Sequence, residues 1–287
     1  MKIVLGTVQF GLNYGINNKI GKPTQEEVFE ILLLAYDSGI RHLDTAEAYG
    51  NAHALIGEFH KKFPAKKFKI TTKFPNQKLD NIRQKIEEYL ISMEVDSLET
   101  LLFHSFGAYQ LNKEVVIQLN SFKNSTNKIK NLGVSIYTNE ELEKVIEDEN
   151  IDVIQLPFNL LDNIKKRGEL FEKAKAKNKV VQTRSVFLQG LFCMEPSSGN
   201  KIQIAFSNEL ESLNQIVKNI GISMAELALN YCYQQKDIDF ILIGVDNKDQ
   251  LINNLISLTK SIDKDIIEQI NQIDVVNEQF LNPSKWN

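Results

Sequence analysis

The stretch Thr24–Asp44 reads TQEEVFEILLLAYDSGIRHLD and shows the pattern on which the whole chain is built. Thr24 and Glu27 have the spacing of a capping box, in which the two residues exchange hydrogen bonds at the start of a helix. Apolar residues follow at helical spacing, and Gly39 stands where a C-cap glycine belongs. The short apolar run Ile40–Asp44 then predicts a strand that is buried on both faces.

Similar short apolar runs recur along the chain, without the alternation typical of half-exposed strands. The predicted strands are Ile3–Thr7, Ile40–Asp44, Phe68–Lys73, Thr100–His104, Ile129–Ser135, Val153–Leu156, Lys179–Arg184 and Phe240–Gly244. Amphipathic helical patterns lie between them, and further capping boxes begin at Thr138 and Ser223. Eight such units predict an α/β protein that forms a closed (β/α)8 TIM barrel.

No Pro-, Gly- or Ser-rich linker interrupts this alternation, so we predict a single domain over residues 1–287. An open, doubly wound sheet is the structural alternative. That fold usually carries a G-x-G-x-x-G phosphate loop after a strand, and neither Gly6–Gly11 nor Gly11–Gly15 has this spacing.

The composition excludes several classes of protein. Of the 287 residues, 43% are hydrophobic and 24% are charged, which is not the composition of a disordered chain. The 33 basic and 37 acidic residues give a net charge of −4 without a basic cluster, so we expect no nucleic-acid binding. No apolar run approaches the length of a membrane span. The isolated Cys193 and Cys232, with no secretory signal, favour a cytoplasmic protein.

Four polar residues follow three successive predicted strands. Asp44 ends the second strand with Tyr49 five residues beyond it, Lys73 ends the third, and His104 ends the fourth. Active sites of such barrels lie at the carboxyl ends of the strands, so these side chains should converge. Each residue alone has an ordinary structural explanation, as a cap, a packing residue or a hydrogen-bonded strand end. Their occurrence on consecutive strand ends favours a site.

The four side chains suit the reduction of a carbonyl group. A cofactor would supply hydride to carbon, Tyr49 would supply a proton to oxygen, and His104 would hydrogen-bond that oxygen. We expect the Lys73 cation, held in place by Asp44, to lower the pKa of Tyr49 from its ordinary value of about 10. No convincing set of metal ligands is present, and hydride transfer requires none.

The segment Leu43–Asn51, LDTAEAYGN, resembles the D-T-A-x-x-Y-G-N signature of the aldo-keto reductase family. The segments around Lys73, His104, Ser135 and Gln155 fall, in order, where later motifs of that family fall. The similarity covers most of the chain.

This resemblance implies that NADP or NAD binds the barrel in extended form. It implies that Tyr49 is the general acid, that Asp44 and Lys73 tune it, and that His104 orients the carbonyl. It also implies that the nicotinamide carboxamide is held by Ser135 and Gln155, and that the nicotinamide ribose lies near Gly6, Thr7 and Val8. The pyrophosphate would lie along Ser185, Phe187, Gln189 and Gly190. The adenosine half would lie near Gly244, Gln250 and Asn254.

The sequence departs from the family pattern at several positions. Ile136 stands where many members have Asn, and Arg184 stands where many have a Tyr that stacks on nicotinamide. A guanidinium can also stack, or it can bind an anionic substrate or the pyrophosphate. Segment Arg184–Gly190 resembles a bacterial subgroup linked to surface sugar biosynthesis. The resemblance implies a 2′-phosphate site after the last strand, where Asp246 and Asp249 would repel a phosphate and Lys248 would attract one. Gln250 stands where the family has Arg, which favours NAD or dual use; Asp246 could equally cap the last helix.

We expect residues 185–206 to form a substrate and cofactor loop, with Glu195–Ala205 lacking regular structure. The tail, residues 277–287, should be disordered or fold back near the substrate. His53 and His60, two helical turns apart, should lie on the surface.

The sequence therefore predicts an NAD(P)-dependent oxidoreductase whose partner is a small aldehyde, ketone or open-chain sugar. The reverse oxidation would use the same groups. One alternative is a non-catalytic regulatory subunit that binds a dinucleotide. Another is a lyase that uses Lys73 as a Schiff-base lysine, although pairing with Asp44 would oppose imine chemistry. The substrate, the cofactor preference and the oligomeric state stay open.

Overall fold

Eight parallel strands pair in sequence order and close into a barrel in the computed structural model, which describes residues 1–194 and 199–286. The strands are β1 (Ile3–Gly6), β2 (His42–Asp44), β3 (Lys69–Phe74), β4 (Leu98–Phe103), β5 (Ile129–Ser135), β6 (Val153–Pro157), β7 (Val180–Arg184) and β8 (Phe240–Ile243). Val4 of β1 pairs with His42 of β2 on one side and with Leu242 of β8 on the other. The predicted (β/α)8 barrel is confirmed.

Helices separate the strands and cover the barrel from outside. They are α1 (Val8–Gly11), α2 (Gln25–Asp37), α3 (Ala52–Lys62), α4 (Ile82–Met93), α5 (Phe106–Leu111), α6 (Lys113–Thr126), α7 (Asn139–Ile146), α8 (Ile164–Ala176), α9 (Lys201–Ala205), α10 (Ser207–Ile220), α11 (Met224–Tyr233), α12 (Lys248–Ser257) and α13 (Lys264–Asn271). The capping boxes predicted at Thr24, Thr138 and Ser223 are confirmed. Across the described residues, no helix is both long and apolar enough to cross a membrane.

The polar residues of the site lie at one rim because the strands are parallel and in register. Asp44 is the last residue of β2, Lys73 is next to last in β3, and Ser135 is the last residue of β5. Below them the strands are packed with apolar side chains such as those of Leu5 and Leu43, which are fully buried. Parallel strands present their carboxyl ends on the same side, so the buried core supports a polar rim.

The expectation of an irregular segment at Glu195–Ala205 was wrong in part. Its last residues form α9, because the Asn200 side chain accepts a hydrogen bond from Ile202 N and so caps a short helix. The polar composition reflects that cap. A short 3₁₀ segment, Leu188–Cys193, precedes Glu195–Ala205 and is broken by non-helical backbone at Gln189 and Gly190. Residues 195–198 lie outside the described residues.

The C-terminal tail is folded against the end of α9. The Asn277 side chain donates to the Ala205 carbonyl at 2.8 Å, and the Trp286 indole donates to the Phe280 carbonyl at 2.7 Å. Short 3₁₀ helices, Glu278–Leu281 and Pro283–Lys285, make up most of it. Residue 287 lies outside the described residues.

The expected surface placement was wrong for His60, which is fully buried between α3 and β3. Its Nδ1 donates to the Met93 carbonyl at 2.7 Å, and its Nε2 accepts from Phe68 N at 3.1 Å. His53 is half-buried, and its Nε2 is hydrogen-bonded to Thr72 Oγ1 at 2.9 Å. Both imidazoles join helix α3 to the neighbouring strand, which the spacing of two residues along a helix does not reveal.

Candidate active site

A cavity of about 790 Å³ opens at the carboxyl ends of the strands, and this volume is large enough for a cofactor-sized molecule. Nearly all residues predicted for the site line it. They are Asp44, Tyr49, Lys73, His104, Gly6, Val8, Ser135, Gln155, Arg184, Ser185, Phe187, Gln189, Gly190, Gly244, Asp246, Gln250 and Asn254. Their arrangement around one cavity is therefore consistent with a common site.

Thr7 is the predicted contact that does not line the cavity. It is fully buried, and its backbone N and its Oγ1 both donate to the Asp44 carbonyl, at 3.0 and 3.1 Å. Thr7 therefore joins the ends of β1 and β2 and holds the backbone that carries the Asp44 side chain.

Asp44 and Lys73 form an ion pair in the cavity wall, with both side chains only 2% exposed. The Lys73 ammonium donates to Asp44 Oδ1 and to the Thr45 carbonyl, the latter at 2.9 Å. Gln155 Nε2 donates to the other carboxylate oxygen, Oδ2, at 2.7 Å. Burial lowers the pKa of Lys73, and the Asp44 carboxylate opposes that shift.

The loop that carries Tyr49 is fixed by a close crossing of two backbones. A Cβ on Gly11 would lie 1.8 Å from the Tyr49 carbonyl oxygen, and a Cβ on Gly50 would lie 2.5 Å from the Gly11 carbonyl oxygen. Gly50 also has a φ of 55°, a conformation that favours glycine. The crossing directs Tyr49 into the cavity, where Lys73 Nζ is 5.1 Å from the centroid of its ring.

The structure contradicts the expectation that Lys73 lowers the pKa of Tyr49. Burial, followed by the Asp44 carboxylate, raises the pKa of Tyr49. The reason is that Asp44 balances the Lys73 charge, so desolvation dominates at a neighbouring phenol. The Tyr49 and His104 rings meet edge to face, with centroids 5.7 Å apart.

The charges that shift the pKa of His104 differ from those that shift the pKa of Tyr49. Burial, followed by the Lys73 and Arg184 cations, lowers the pKa of His104 to about 3. Its imidazole is therefore neutral near pH 7, and one ring nitrogen carries a proton that it can donate to a ligand in the cavity.

The segment after β7 has an unusual backbone. Ser185, Leu188 and Gln189 have φ values of 65°, 45° and 54°, in the left-handed region. The other non-glycine residues with positive φ, Asn81, Glu94, Asn127 and Asn178, lie at or beside helix ends. Left-handed non-glycine residues cluster at ligand sites, where surrounding contacts hold them. Here Ile16 N donates to the Gln189 carbonyl at 3.0 Å.

Beyond β8, the Asp246 carboxylate faces the cavity and does not cap the last helices. Asn247 caps α12 instead, since its side chain accepts from Gln250 N at 2.9 Å. Gln250 Nε2 donates to Asp246 Oδ2 at 3.2 Å, and Asp246 N donates to Gln250 Oε1 at 2.9 Å. Burial raises the pKa of Asp246.

A second carboxylate, Glu226 of α11, also lines the cavity. Lys248 is not among the lining residues, and its ammonium instead binds Glu30 of α2 at 2.9 Å. In the described parts of the chain, the positively charged residues that line the cavity are Lys73 and Arg184, both on barrel strands. Glu226 is engaged by Ser223 N at 2.9 Å and by Lys260 Nζ at 3.6 Å, so Asp246 is the lining carboxylate of this region that has no cationic partner among the described residues.

Sequence reasoning missed Gln9, whose amide lies directly against Gly244. A Cβ at Gly244 would be 2.4 Å from Gln9 Nε2, so a larger residue there would displace the Gln9 amide. Gln9 Oε1 and Gln155 Oε1 are buried and have no hydrogen-bond partner within the described residues. Both glutamines line the cavity, so each brings an unfilled acceptor to its wall.

Two aromatic lining residues were also missed, Tyr14 and Tyr137. The Tyr137 ring lies under the Arg184 guanidinium, with Cζ 4.2 Å from the ring centroid. The signal for Tyr137 was its place two residues after Ser135 at a strand end. Tyr14 belongs to a loop without regular structure, so no periodicity pointed to it.

The comparisons with known proteins agree with this architecture. The sequence profile of the Aldo/keto reductase family matches residues 2–275. Because this match spans nearly the whole chain, the protein belongs to the aldo/keto reductase family.

Individual relatives are more distant. Protein REDOX 2 of Catharanthus roseus is 27% identical over 290 residues, which cover 91% of this chain and 86% of that protein. The holo form of an aldo-keto reductase from Bacillus halodurans superposes with a TM-score of 0.79 at 17% identity, covering 98% and 95% of the two chains. The glycerol dehydrogenase of Gluconobacter oxydans has a TM-score of 0.74 at 18% identity, covering 100% and 93%.

Proposed function

We propose that this protein is a nicotinamide-dependent carbonyl reductase acting on a small aldehyde, ketone or open-chain sugar. The observation that carries the proposal is the convergence of Tyr49, His104 and the Asp44–Lys73 ion pair on one cavity wall. A phenol, a neutral imidazole and a buried cation are the groups needed to bind a carbonyl oxygen and protonate it. Membership of the aldo/keto reductase family supports the same chemistry.

Tyr49 is the proton donor in this proposal. The phenol is protonated at neutral pH, so its O–H is available to the oxygen of a carbonyl under reduction, and the proton moves as hydride addition makes that oxygen basic. The phenolate left behind gains stabilisation from the Arg184 cation, which opposes the rise in the pKa of Tyr49. Lys73 Nζ has partners for two of its donors, Asp44 and the Thr45 carbonyl, so a further N–H is available toward Tyr49.

His104 orients the carbonyl in this proposal. As a neutral imidazole it donates one N–H to the carbonyl oxygen without adding a charge to the cavity. Its edge-to-face contact with Tyr49 places the two donors side by side. A carbonyl oxygen between them accepts from both, and the hydrogen bonds strengthen as negative charge develops on that oxygen.

The residues present fit a nicotinamide dinucleotide. Gln155 Oε1 and Gln9 Oε1 are buried acceptors without a partner in the described chain, and such groups suit the amide and hydroxyl donors of that cofactor. The strained segment that holds Ser185 and Gln189 lines the middle of the site. When bound, the cofactor supplies the hydride that the side chains of this protein cannot supply.

We further propose that the protein prefers NADH to NADPH. The Asp246 carboxylate lines the cavity without a cationic partner among the described residues, and a carboxylate accepts hydrogen bonds from ribose hydroxyls but repels a 2′-phosphate. Lys248, the nearby cation, is engaged by Glu30 outside the lining.

Cofactor binding tests the proposal. Purified protein is titrated with NADH and separately with NADPH in a calorimeter, and carbonyl compounds are then assayed with the tighter cofactor. We expect both the binding of at least one cofactor and its oxidation on addition of an aldehyde. Binding of neither would overturn the reductase function, whereas tighter binding of NADPH would overturn only the preference.

The two rival functions are tested in the same samples. An imine-forming lyase requires a neutral Lys73, yet this ammonium donates to the Asp44 carboxylate. Borohydride added with a carbonyl compound is therefore expected to leave Lys73 unmodified, and a covalent adduct there would favour the lyase. Turnover by the wild-type protein would exclude a purely regulatory subunit.

A further inference from the structure

The Arg184 guanidinium is a cation in the cavity that the protein leaves without a carboxylate partner. Its Nη2 donates to the Ile136 carbonyl at 3.1 Å, and its Nη1 is 3.5 Å from Ser185 Oγ. Within residues 1–194 and 199–286, no carboxylate oxygen lies within 4.0 Å of it. Since a guanidinium carries several N–H donors in a fixed fork, most of its binding capacity is unused.

A second arginine, Arg167 of α8, binds the backbone that follows the same strand, β5, and shows the contrast. Arg167 Nη2 donates to the Tyr137 carbonyl at 2.7 Å, one residue along from the carbonyl that Arg184 binds. Arg167 is also paired with Asp162 through two hydrogen bonds, at 2.8 and 2.7 Å. The cation that points away from the cavity is therefore neutralised inside the protein, and the one that lines the cavity is not.

The charges of the catalytic region do not cancel. Lys73 and Asp44 balance each other, and the neutral His104 adds nothing near pH 7. Arg184 therefore leaves one positive charge in excess, and it is close enough to Tyr49 and His104 to influence both. Partly buried, uncompensated charge is unfavourable, so an anionic ligand here is favoured.

We infer that the carbonyl substrate carries an anionic group, a carboxylate or a phosphate, which Arg184 binds while Tyr49 and His104 bind the carbonyl oxygen. The inference rests on the proposed carbonyl reductase function. The Tyr137 ring holds the guanidinium plane in place, and Tyr14 brings a protonated hydroxyl donor to the same cavity. A planar fork of donors matches a carboxylate or phosphate in two parallel hydrogen bonds.

The test compares matched pairs of carbonyl compounds with the full-length protein. The pairs are succinic semialdehyde with butanal, 4-carboxybenzaldehyde with 4-methylbenzaldehyde, and glyceraldehyde 3-phosphate with glyceraldehyde. We expect kcat/KM for the charged member of at least one pair to exceed that of the neutral member by about 10- to 100-fold, the range of a charge-assisted hydrogen-bonded contact. Arg184→Gln should remove this preference, and Arg184→Lys should restore part of it.

Arg41→Gln is the matched control. Arg41 also stacks on a tyrosine, with Cζ 4.0 Å from the Tyr36 ring centroid, but it lies on the exposed surface. This variant should keep the wild-type ratio within each pair. For Arg184→Gln the readout is the ratio within each pair and not the absolute rate. An unchanged circular dichroism spectrum and urea unfolding midpoint separate loss of anion binding from misfolding.

Cofactor affinity distinguishes the two sources of the anion. If Arg184→Gln weakens dinucleotide binding by about 10- to 100-fold and leaves the aldehyde ratios unchanged, Arg184 binds the cofactor pyrophosphate and the inference is overturned. Equal kcat/KM within every pair would also overturn it, while the reductase function would stand.

A binding measurement covers the case in which no aldehyde is reduced. The proposed function would then fail, and calorimetry with 4-(hydroxymethyl)benzoate against 4-methylbenzyl alcohol would judge the anion site by itself. Tighter binding of the carboxylate by the wild type but not by Arg184→Gln would support the site. Equal binding by both proteins would overturn it.

Discussion

Two ion pairs in this barrel are buried to the same degree, but they differ in the groups that surround them and fill their remaining hydrogen bonds. The Asp44 and Lys73 side chains are each 2% exposed, and those of Asp162 and Arg167 are 1% and 3% exposed. Arg167 fills its donors with Asp162, the Asn139 side chain and the Tyr137 carbonyl. The Lys73 pair instead borders the cavity, next to the unfilled acceptor Gln155 Oε1.

The difference separates a structural pair from one that belongs to a site. Burial alone does not distinguish them, since desolvation is equally severe in both. The Asp162–Arg167 pair is closed by protein groups and so leaves nothing for a ligand to bind. Around Asp44 and Lys73, polar groups stay open toward a cavity, which keeps binding free energy available for a ligand.

The largest expected effect is the loss of turnover in Tyr49→Phe. Removing the proton donor beside the Lys73 pair should lower kcat by about 10²- to 10⁴-fold, the usual contribution of general acid catalysis. Dinucleotide affinity should stay within a few-fold of wild type. Steady-state kinetics and calorimetry measure the two quantities. Tyr36→Phe, whose hydroxyl donates to the Ala65 carbonyl outside the cavity, is the control. Wild-type turnover by Tyr49→Phe would contradict the mechanism.

Breaking each ion pair tests the comparison directly. Lys73→Met and Arg167→Met each leave a buried carboxylate without its cationic partner, so each should lower the free energy of unfolding by about 3–5 kcal/mol. Urea unfolding followed by circular dichroism measures the loss. At a temperature where both variants are folded, only Lys73→Met should lose turnover.

A double variant sharpens this result. Asp162→Leu combined with Arg167→Met removes both charges and should recover much of the lost stability, because no unpaired charge is left. If Arg167→Met abolished turnover as completely as Lys73→Met, the division into structural and site pairs would be wrong.

Burial lowers the pKa of all four histidines, and the two for which it falls furthest, His53 and His104, lie toward the site. Burial lowers the pKa of His53 to about 4 and that of His104 to about 3. The unfolded chain, with a histidine pKa of about 6.5, binds more protons below that pH, so stability falls as pH falls from about 6.5 toward 4. Each histidine should contribute about 2 kcal/mol of destabilisation between pH 7 and pH 5.

Urea unfolding at pH 7 and pH 5 measures this dependence, and His53→Gln should show a smaller difference between the two pH values. The same stability loss in His53→Gln as in the wild type would assign the acid sensitivity to other groups. Turnover, by contrast, should show no titration attributable to His104 between pH 5 and pH 8, since that imidazole stays neutral there.

The smallest effect is expected at the Asp246 end of the cavity. Asp246→Asn removes a charge that would repel a 2′-phosphate, an effect of about 1 kcal/mol at contact distance in water. NADPH affinity should therefore rise by about five-fold relative to NADH. Asp249→Asn, an exposed change in the first turn of α12, is the control. An unchanged ratio in Asp246→Asn would remove Asp246 from cofactor selection.

The barrel could be predicted because its signals are local. Buried parallel strands show as short apolar runs, and helix starts show as capping boxes such as those at Thr24 and Ser223. The order of the strands along the chain then places Asp44, Lys73 and His104 on one rim, since parallel strands end on the same side. The residues of the rim could therefore be predicted from the sequence.

What only the tertiary structure decided depends on contacts between distant segments. The pKa of Tyr49 rises because burial desolvates the phenol and the Asp44 carboxylate is close by, and the carboxylate partner of Lys248 comes from α2. The sequence does not distinguish Arg184, whose guanidinium has no carboxylate partner among the described residues, from Arg167, whose guanidinium is paired with Asp162. Desolvation and pairing are set by which side chains meet across the barrel, and neither composition nor periodicity carries that information.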